Sequence, residues 1–205
     1  MINYLFDTLE DWRHLPNYQL ERRADIFFAI HLKTILKHTH NIDVKAIIPE
    51  FPIRIGSIYP DKHNNKSYKV DYAVFDSSKC YLIELKTDDG SAKESQFINY
   101  FEAIEIGFES IVKGILDIVE ATEDKYKSKY LYLIEKLTNI NAINNGRVSS
   151  IYSFHEKPIC IKPTGEDVDK IIVINFMRIS RILNQENDGL TIAFRNALDK
   201  WVKPA

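Results

Sequence analysis

The stretch VDYAVFDSSKCYLIELKTD, residues 70–88, places the strongest constraint on how this chain can fold. Two apolar runs flank the polar pair Ser77-Ser78, which predicts antiparallel strands at about 69–76 and 79–87 joined by a tight turn. If the turn is symmetric, the residue numbers of every directly opposed pair add up to 155. Apolar side chains then occupy both faces, so we expect a hairpin that is largely buried on both sides.

Three charged residues interrupt this apolar hairpin. The register opposes Asp71 to Glu84, and the period of two along a strand puts Lys86 on the same face. Two opposed carboxylates repel each other unless a cation neutralises them. A divalent metal does so directly, since Mg²⁺ is held by one or two carboxylates together with water and phosphate. A solvated Asp/Glu–Lys cluster without a function is the alternative interpretation.

The stretch 17–39 is predicted to form an amphipathic helix that supplies another carboxylate. At about 100° per residue, Glu21 falls inside the apolar arc and Asp25 falls on its edge. A glutamate on the buried stripe of a helix is costly unless it is paired or bound to metal. Glu21 is therefore a candidate metal ligand, with Asp25 as second choice. Alternatively, Glu21 forms a salt bridge to Arg22, Arg23 or Lys86.

The remaining segments predict a mixed α/β order. We expect an irregular edge strand at 51–55, helices at 92–120, 124–145 and 190–202, a strand at 169–176, and a loop-like stretch at 148–168. The order is α-β-β-β-α, a helical insertion, then β-α, which is typical of one α/β domain with a mixed sheet.

Length, charge and cysteine content limit the class of protein. With 205 residues, the chain can form one domain with a well-buried core. Its net charge is −2, so the chain lacks the surplus of basic residues with which proteins bind the phosphates of long duplexes. Any nucleic-acid contact must therefore be local, metal-assisted or helped by a partner. No apolar run approaches the ~20 residues of a membrane span, and the N-terminus lacks signal-peptide features. Cys80 and Cys160, both in apolar contexts, predict packed thiols in a reducing cytoplasm.

These residues together resemble the PD-(D/E)xK nuclease superfamily. The resemblance rests on a helical glutamate, a strand aspartate and the E-x-K of residues 84–86. QFINY at 96–100 is similar to the Q-x-x-x-Y motif of the RecB-like branch. The resemblance to the superfamily covers residues 17–120 well, residues 169–176 loosely and residues 121–168 not at all.

Two features depart from the family pattern. Val70 precedes Asp71 where the family has proline, and the overall charge is not basic. A literal Pro60-Asp61 precedes a polar loop, but Asp61 would lie far from Glu84 in the hairpin register. We therefore assign the family aspartate to Asp71.

The resemblance implies a single restriction-endonuclease-like domain over 1–205. Its α-β-β-β-α-β core would occupy about 17–120 and 169–205, with a helical insertion at about 121–168. It implies Mg²⁺- or Mn²⁺-dependent hydrolysis of nucleic-acid phosphodiesters, with DNA favoured over RNA. The implied metal ligands are Asp71, Glu84, Glu21 and the carbonyl of Leu85.

The resemblance also implies roles for three further side chains. Lys86 would position the attacking water. Gln96 would fix the Lys86 end of the site or the substrate backbone, and Tyr100 would support the strand or stack on a base. The lysines and tyrosines of DKYKSKY, residues 124–130, can touch a phosphate backbone, although such charge runs commonly form a solvated helix face.

A non-catalytic nuclease-fold module that binds nucleic acid or a protein partner is the alternative function. The missing basic surplus and the unexplained insertion favour this alternative. The complete set of Asp, Glu and Lys positions favours an enzyme. The sequence has no Walker loop, Rossmann glycine pattern, G-x-S-x-G or C-x-x-C, so nucleotide hydrolysis, dinucleotide binding and serine-hydrolase chemistry lack support.

Overall fold

The computed structural model describes residues 1–61, 66–89 and 97–203. The chain separates into two compact units, each assembled from several segments. The first unit comprises 1–44, 84–93 and 159–205, and the second comprises 45–83 and 94–158. None of the described helices has the length and apolar character needed to cross a membrane.

Three antiparallel strands form the sheet of the second unit: β1 (Ala46–Arg54), β2 (Ser67–Phe75) and β3 (Lys79–Leu85). β1 is an edge strand, as predicted, and it carries Pro49 and Pro52. A proline has no N–H to donate to a neighbouring strand, so it is tolerated at an edge. A short strand, β6 (Ser153–Phe154), pairs in parallel with the beginning of β3.

The predicted register of the β2–β3 hairpin is confirmed. Phe75 pairs with Cys80 and Tyr72 with Ile83, so the numbers of both pairs add up to 155. Asp76 stabilises the turn, because its Oδ1 accepts hydrogen bonds from two main-chain N–H groups, each at 2.7 Å. The paired residues are buried on both faces of the hairpin, which agrees with its apolar sequence.

The helices of the second unit are α3 (Ile55–Ile58), α4 (Ile98–Ile106), α5 (Phe108–Ala121) and α6 (Asp124–Asn139). The prediction of one helix over 92–120 is wrong, because Gly107 separates α4 from α5. Its φ of 92° and ψ of 155° form a conformation that only glycine adopts readily. A separate two-stranded hairpin follows α6, formed by β4 (Ile143–Asn144) and β5 (Arg147–Val148).

Besides the last residues of β3, the described part of the first unit contains two parallel strands and four helices. The strands are β7 (Ile159–Lys162) and β8 (Ile172–Asn175). The helices are α1 (Ile2–Trp12), α2 (Leu20–His40), α7 (Phe176–Leu183) and α8 (Gly189–Trp201). β7 corrects the prediction of a loop-like 148–168, because three residues of this four-residue strand are buried. An apolar run this short does not distinguish a strand from a loop.

Aromatic rings from α1, α2, α7 and α8 form the core of the first unit. Phe28 and Phe194 meet edge-to-face with ring centroids 5.0 Å apart, and Phe28 also contacts Phe176 at 5.3 Å. Both α2 and α8 place several fully buried side chains in this core. This packing fixes the beginning of α2, where Glu21 lies.

β3 continues from the second unit into the first, where Glu84 and Leu85 form its last residues. The N–H of Lys86 donates to the carbonyl of Ile161 in β7 at 2.8 Å. Within the first unit, β7 lies between the end of β3 and β8. The predicted α/β class with a mixed central sheet is therefore confirmed in the described part of the chain.

Candidate functional site

The Lys86 ammonium lies among three oxygen atoms of the first unit. Its Nζ is 2.6 Å from Glu84 Oε1, 3.1 Å from the Leu85 carbonyl oxygen and 3.4 Å from Glu21 Oε2. Glu84, Leu85 and Lys86 are consecutive at the end of β3, whereas Glu21 lies in the first turn of α2. The structure thus brings the E-x-K residues and the predicted helical glutamate together. We call these three oxygens the oxygen cluster.

Burial makes the charges of this cluster depend on one another. The side chains of Glu84 and Lys86 are only 8% and 7% exposed, while that of Glu21 is 33% exposed. Removing an isolated ion from water costs several kcal/mol, so each buried charge requires a partner. Alternation along β3 brings Glu84 and Lys86 to the same side, and this is why they meet.

The pKa of Glu21 is raised, chiefly because the carboxyl group is partly buried. Burial raises this pKa, and the carboxylates of Glu84 and Asp88 raise it as well, while the Lys86 ammonium beside it acts in the opposite direction. The net effect is a raised pKa. A carboxyl group in this situation gains from any additional positive charge placed beside it.

The oxygen cluster has the ligand chemistry of a hard divalent cation. Two carboxylates and a main-chain carbonyl are the donor types that Mg²⁺ and Mn²⁺ prefer. Among the described residues, no group of three or more His, Cys, Asp or Glu side chains is placed to hold a metal ion. The third converging oxygen is instead the main-chain carbonyl of Leu85. The position of the ammonium shows that this point accommodates positive charge.

A cavity of about 680 Å³ lies beside the cluster within the first unit. Glu21 and Lys86 line it together with Asp88 and Asp89. Asp89 is held by Thr164, whose hydroxyl donates to Oδ2 at 2.7 Å and whose N–H donates to Oδ1 at 3.2 Å. Glu21 and Lys86 therefore border a space large enough for part of a nucleotide.

Cationic side chains line the same cavity. They are Arg13, Arg22 and Lys203. Arg13 is buried, its Nη2 donates to the Lys203 carbonyl, and its Nη1 lies 3.6 Å from Glu10. This Nη1 has no hydrogen-bond partner among the described residues. One cavity thus combines carboxylates suited to a metal with cations suited to a phosphate.

The other predicted metal ligand, Asp71, lies in β2 of the second unit and is half-buried. The observed strand pairs end at Tyr72–Ile83, one pair short of the predicted pair of Asp71 with Glu84. Its metal-binding role stays a prediction from sequence. Asp25, the second choice on α2, is exposed.

The structure describes Tyr100 but not Gln96, the other residue of the Q-x-x-x-Y motif. Gln96 lies outside the described residues, so its predicted role is untested. Tyr100 is fully buried, with its ring 5.8 Å from that of Tyr68 and 5.5 Å from that of Phe97. This burial agrees with support of the sheet. A ring without an exposed face cannot stack on a base in this conformation.

Sequence reasoning missed two residues of the cavity. Asp88 was not among the predicted site residues, although its spacing of two from Lys86 indicates the same face of an extended chain. Arg13 follows α1, a helix that we did not predict, and nothing in the sequence relates it to β3. The cationic residues that line the cavity were therefore identified only from the structure.

Comparisons with protein-family models, with curated proteins and with solved structures found no significant match. The assignment of a function therefore depends on the residues of the site.

Proposed function

We propose that this chain is a metal-dependent nuclease that hydrolyses nucleic-acid phosphodiester bonds, with DNA favoured over RNA. The observation that carries the proposal is the convergence of Glu84 Oε1, the Leu85 carbonyl and Glu21 Oε2 within 3.4 Å of Lys86 Nζ. These are the residues that the PD-(D/E)xK resemblance selects from the sequence. Glu21 and Lys86, which are 65 positions apart in the chain, thus meet at one point. An accidental E-x-K match would not require this contact.

The order of secondary structure also supports the proposal. A long helix, three antiparallel strands and a further helix occur in the order α2, β1, β2, β3 and α4, with only the four-residue α3 inserted between β1 and β2. This is the order that the resemblance implies for a restriction-endonuclease-like core. The E-x-K motif ends β3, as the resemblance requires.

The residues of the cluster have distinct proposed roles. Glu21, Glu84 and the Leu85 carbonyl would hold Mg²⁺ or Mn²⁺, and the sequence register adds Asp71. When bound, the metal would lower the pKa of a water molecule and neutralise charge on the phosphate. Lys86 carries three N–H donors, with which it can orient that water or donate to a phosphate oxygen.

The cationic side chains that line the cavity, Arg13, Arg22 and Lys203, would bind the substrate backbone. Arg22 and Lys203 are exposed and line the cavity, whereas the guanidinium of Arg13 is buried, with its Nη2 held by the Lys203 carbonyl and its Nη1 beside Glu10. Guanidinium groups bind phosphate oxygens through charge-assisted hydrogen bonds. Local phosphate contacts of this kind need no basic surplus over the whole chain.

A cleavage assay tests the proposal. Labelled single- and double-stranded DNA and RNA are incubated with Mg²⁺, Mn²⁺ or EDTA and with wild type or Lys86→Ala. We expect metal-dependent cutting by wild type and a loss of roughly a hundredfold or more in Lys86→Ala. Lys113→Ala, at an exposed lysine, is the control and should cut normally. Circular dichroism establishes that each variant is folded.

The alternative, a non-catalytic module, is favoured by one observation. Lys86 and Glu84 already neutralise each other at 2.6 Å, as an inert buried ion pair would. Absence of cutting on every substrate, together with absence of Mg²⁺ binding, would select this alternative. Equal activity of wild type and folded Lys86→Ala would remove the assigned site.

A further inference from the structure

Helix α6 exposes an unusual share of its surface for a helix of its length. Of its sixteen residues only Leu137 is buried. Tyr126, Leu131 and Tyr132 are 61%, 55% and 57% exposed. Helices in proteins are normally stabilised by packing an apolar face against the rest of the fold. Most of this helix therefore remains accessible to a ligand.

A groove of about 460 Å³ runs between α6 and the β1–β2 edge of the sheet within the second unit. Its helical side presents Lys125, Tyr126, Lys129, Tyr130, Tyr132 and Lys136. Its strand side contributes the edge prolines Pro49 and Pro52 and the side chain of Lys69. The groove is thus walled by apolar surface, phenol rings and ammonium groups.

The charge of the groove is predominantly positive. Four lysines and one glutamate, Glu50, line it, which leaves a net charge of +3. The chain as a whole has a net charge of −2, so this surface departs clearly from the average. Glu50 is paired with Lys69 at 3.2 Å and Lys125 with Glu123 at 2.8 Å, which leaves Lys129 and Lys136 of α6 as the main source of the field. Such a surface complements an anion.

The lysines and the rings are arranged in pairs along the helix. Lys125 Nζ lies 4.8 Å from the centroid of the Tyr126 ring, and Lys136 Nζ lies 4.8 Å from that of Tyr132. Residues 125 and 136 are separated by about 16 Å along the helix axis at 1.5 Å per residue. A ligand that matches this pattern carries repeated negative charges and repeated flat groups over that length.

We propose that the groove between α6 and β1 binds single-stranded nucleic acid. Its phosphates would lie along the α6 lysines, and its unpaired bases would stack on Tyr126 and Tyr132. Paired and stacked bases offer no free face to these rings, so a duplex is excluded as the preferred ligand. A protein partner is disfavoured because lysine is depleted in protein–protein interfaces, whereas four lysines line this groove. The inference is independent of the metal site, because binding does not require cleavage.

Fluorescence anisotropy of a labelled oligothymidylate, about 12 nucleotides long, tests the proposal with the full chain in EDTA. The test variant is Lys129→Ala/Lys136→Ala. The matched control is Lys113→Ala/Lys127→Ala, which removes two lysines of the same unit that are paired with Glu109 and Asp124 and do not line the groove. A second test variant, Tyr126→Ala, removes an exposed ring without emptying the core.

We expect the lysine pair in the groove to weaken binding about tenfold or more and to reduce the salt dependence by a slope of roughly 1.4. Tyr126→Ala should weaken binding roughly fivefold or more. The control pair should bind like wild type. A blunt duplex and a polyglutamate peptide should each compete at least about tenfold less well than unlabelled oligothymidylate.

Several results would overturn the proposal. Wild type that does not bind the single strand is one, and groove variants that bind as well as wild type are another. An equal loss of binding in Lys113→Ala/Lys127→Ala would indicate nonspecific electrostatic attraction. Equal competition by the duplex or by polyglutamate would indicate a different ligand. None of these readings depends on whether the chain cuts nucleic acid.

Discussion

Lys86 Nζ and Glu84 Oε1 lie 2.6 Å apart with both side chains more than nine-tenths buried. Lys113 and Glu109 lie at the same distance on the surface of α5, with side chains 62% and 60% exposed. The two pairs thus share their geometry and differ in burial. Since water screens an exposed pair and not a buried one, their energetic consequences should differ sharply.

Substituting Lys86 by Met should therefore destabilise the fold by about 3–5 kcal/mol at neutral pH, because the Glu84 carboxylate loses its cation while it stays buried. Lys113→Met is the control and should cost less than about 1 kcal/mol. Urea denaturation of both variants measures the two free energies of unfolding. Equal losses in the free energy of unfolding would show that burial does not determine how much the Lys86–Glu84 pair contributes to stability.

The sign of the pH effect gives this prediction a second readout. A carboxyl group that is buried without a cation favours its neutral form, so a lower pH removes the uncompensated charge in Lys86→Met. The stability of Lys86→Met relative to wild type should then recover as pH falls from 7 towards 5. A deficit that stays constant over this range would contradict the assignment.

His31 predicts pH dependence of the opposite direction. It is buried in α2, stacked on Phe194 at 5.4 Å, and its Nε2 has no hydrogen-bond partner among the described residues. Burial lowers its pKa, although Asp188 and Glu186 oppose this effect. The unfolded state thus binds a proton below about pH 6.5 that the folded state does not, so this group destabilises the fold as pH falls from 7.

Replacing His31 by Phe should make the loss of stability between pH 7 and 5 shallower than in wild type. His38→Phe, at an exposed position of the same helix, should leave the slope nearly unchanged. Thermal unfolding across this pH range provides the comparison. A slope that is the same in all three proteins would contradict the role of His31.

Gly107 is predicted to be required by the break between α4 and α5. An added Cβ would meet no atom within 4 Å, so a substitution here acts through the backbone conformation alone. Gly107→Ala should cost about 1–3 kcal/mol, because φ of 92° with ψ of 155° strains any other residue. Gly189→Ala, also in open space but without a positive φ, should be neutral or stabilising by up to about 1 kcal/mol. Chemical denaturation distinguishes these results.

Local patterns in the sequence were sufficient for the hairpin and for the E-x-K end of β3. The symmetric turn at Ser77-Ser78 fixes the register, and the register fixes which side chains share a face. The apolar arc of α2 was sufficient to single out Glu21, whose carboxylate does approach Lys86. These features depend on periodicity within one or two elements.

Features that depend on long-range packing were not predictable. Arg13 reaches the cavity of Glu21 because α1 packs in the first unit, and no spacing in the sequence encodes this. The periodic apolar residues on both sides of Gly107 predicted one helix, since periodicity does not reveal a change in direction. The short β7 is a strand because it pairs with β8, a partner that follows it by ten residues.

A titration with Mn²⁺ tests directly whether the oxygen cluster binds a divalent metal. We would titrate wild type, Glu84→Gln and Glu21→Gln with Mn²⁺ and follow the free ion by electron paramagnetic resonance, with Glu109→Gln as the exposed control. The account predicts that wild type and Glu109→Gln bind Mn²⁺ alike, and that each cluster variant, if folded, binds it roughly tenfold or more weakly. Wild type that does not bind Mn²⁺, or folded cluster variants that bind it as well as wild type, would contradict a metal site at the oxygen cluster.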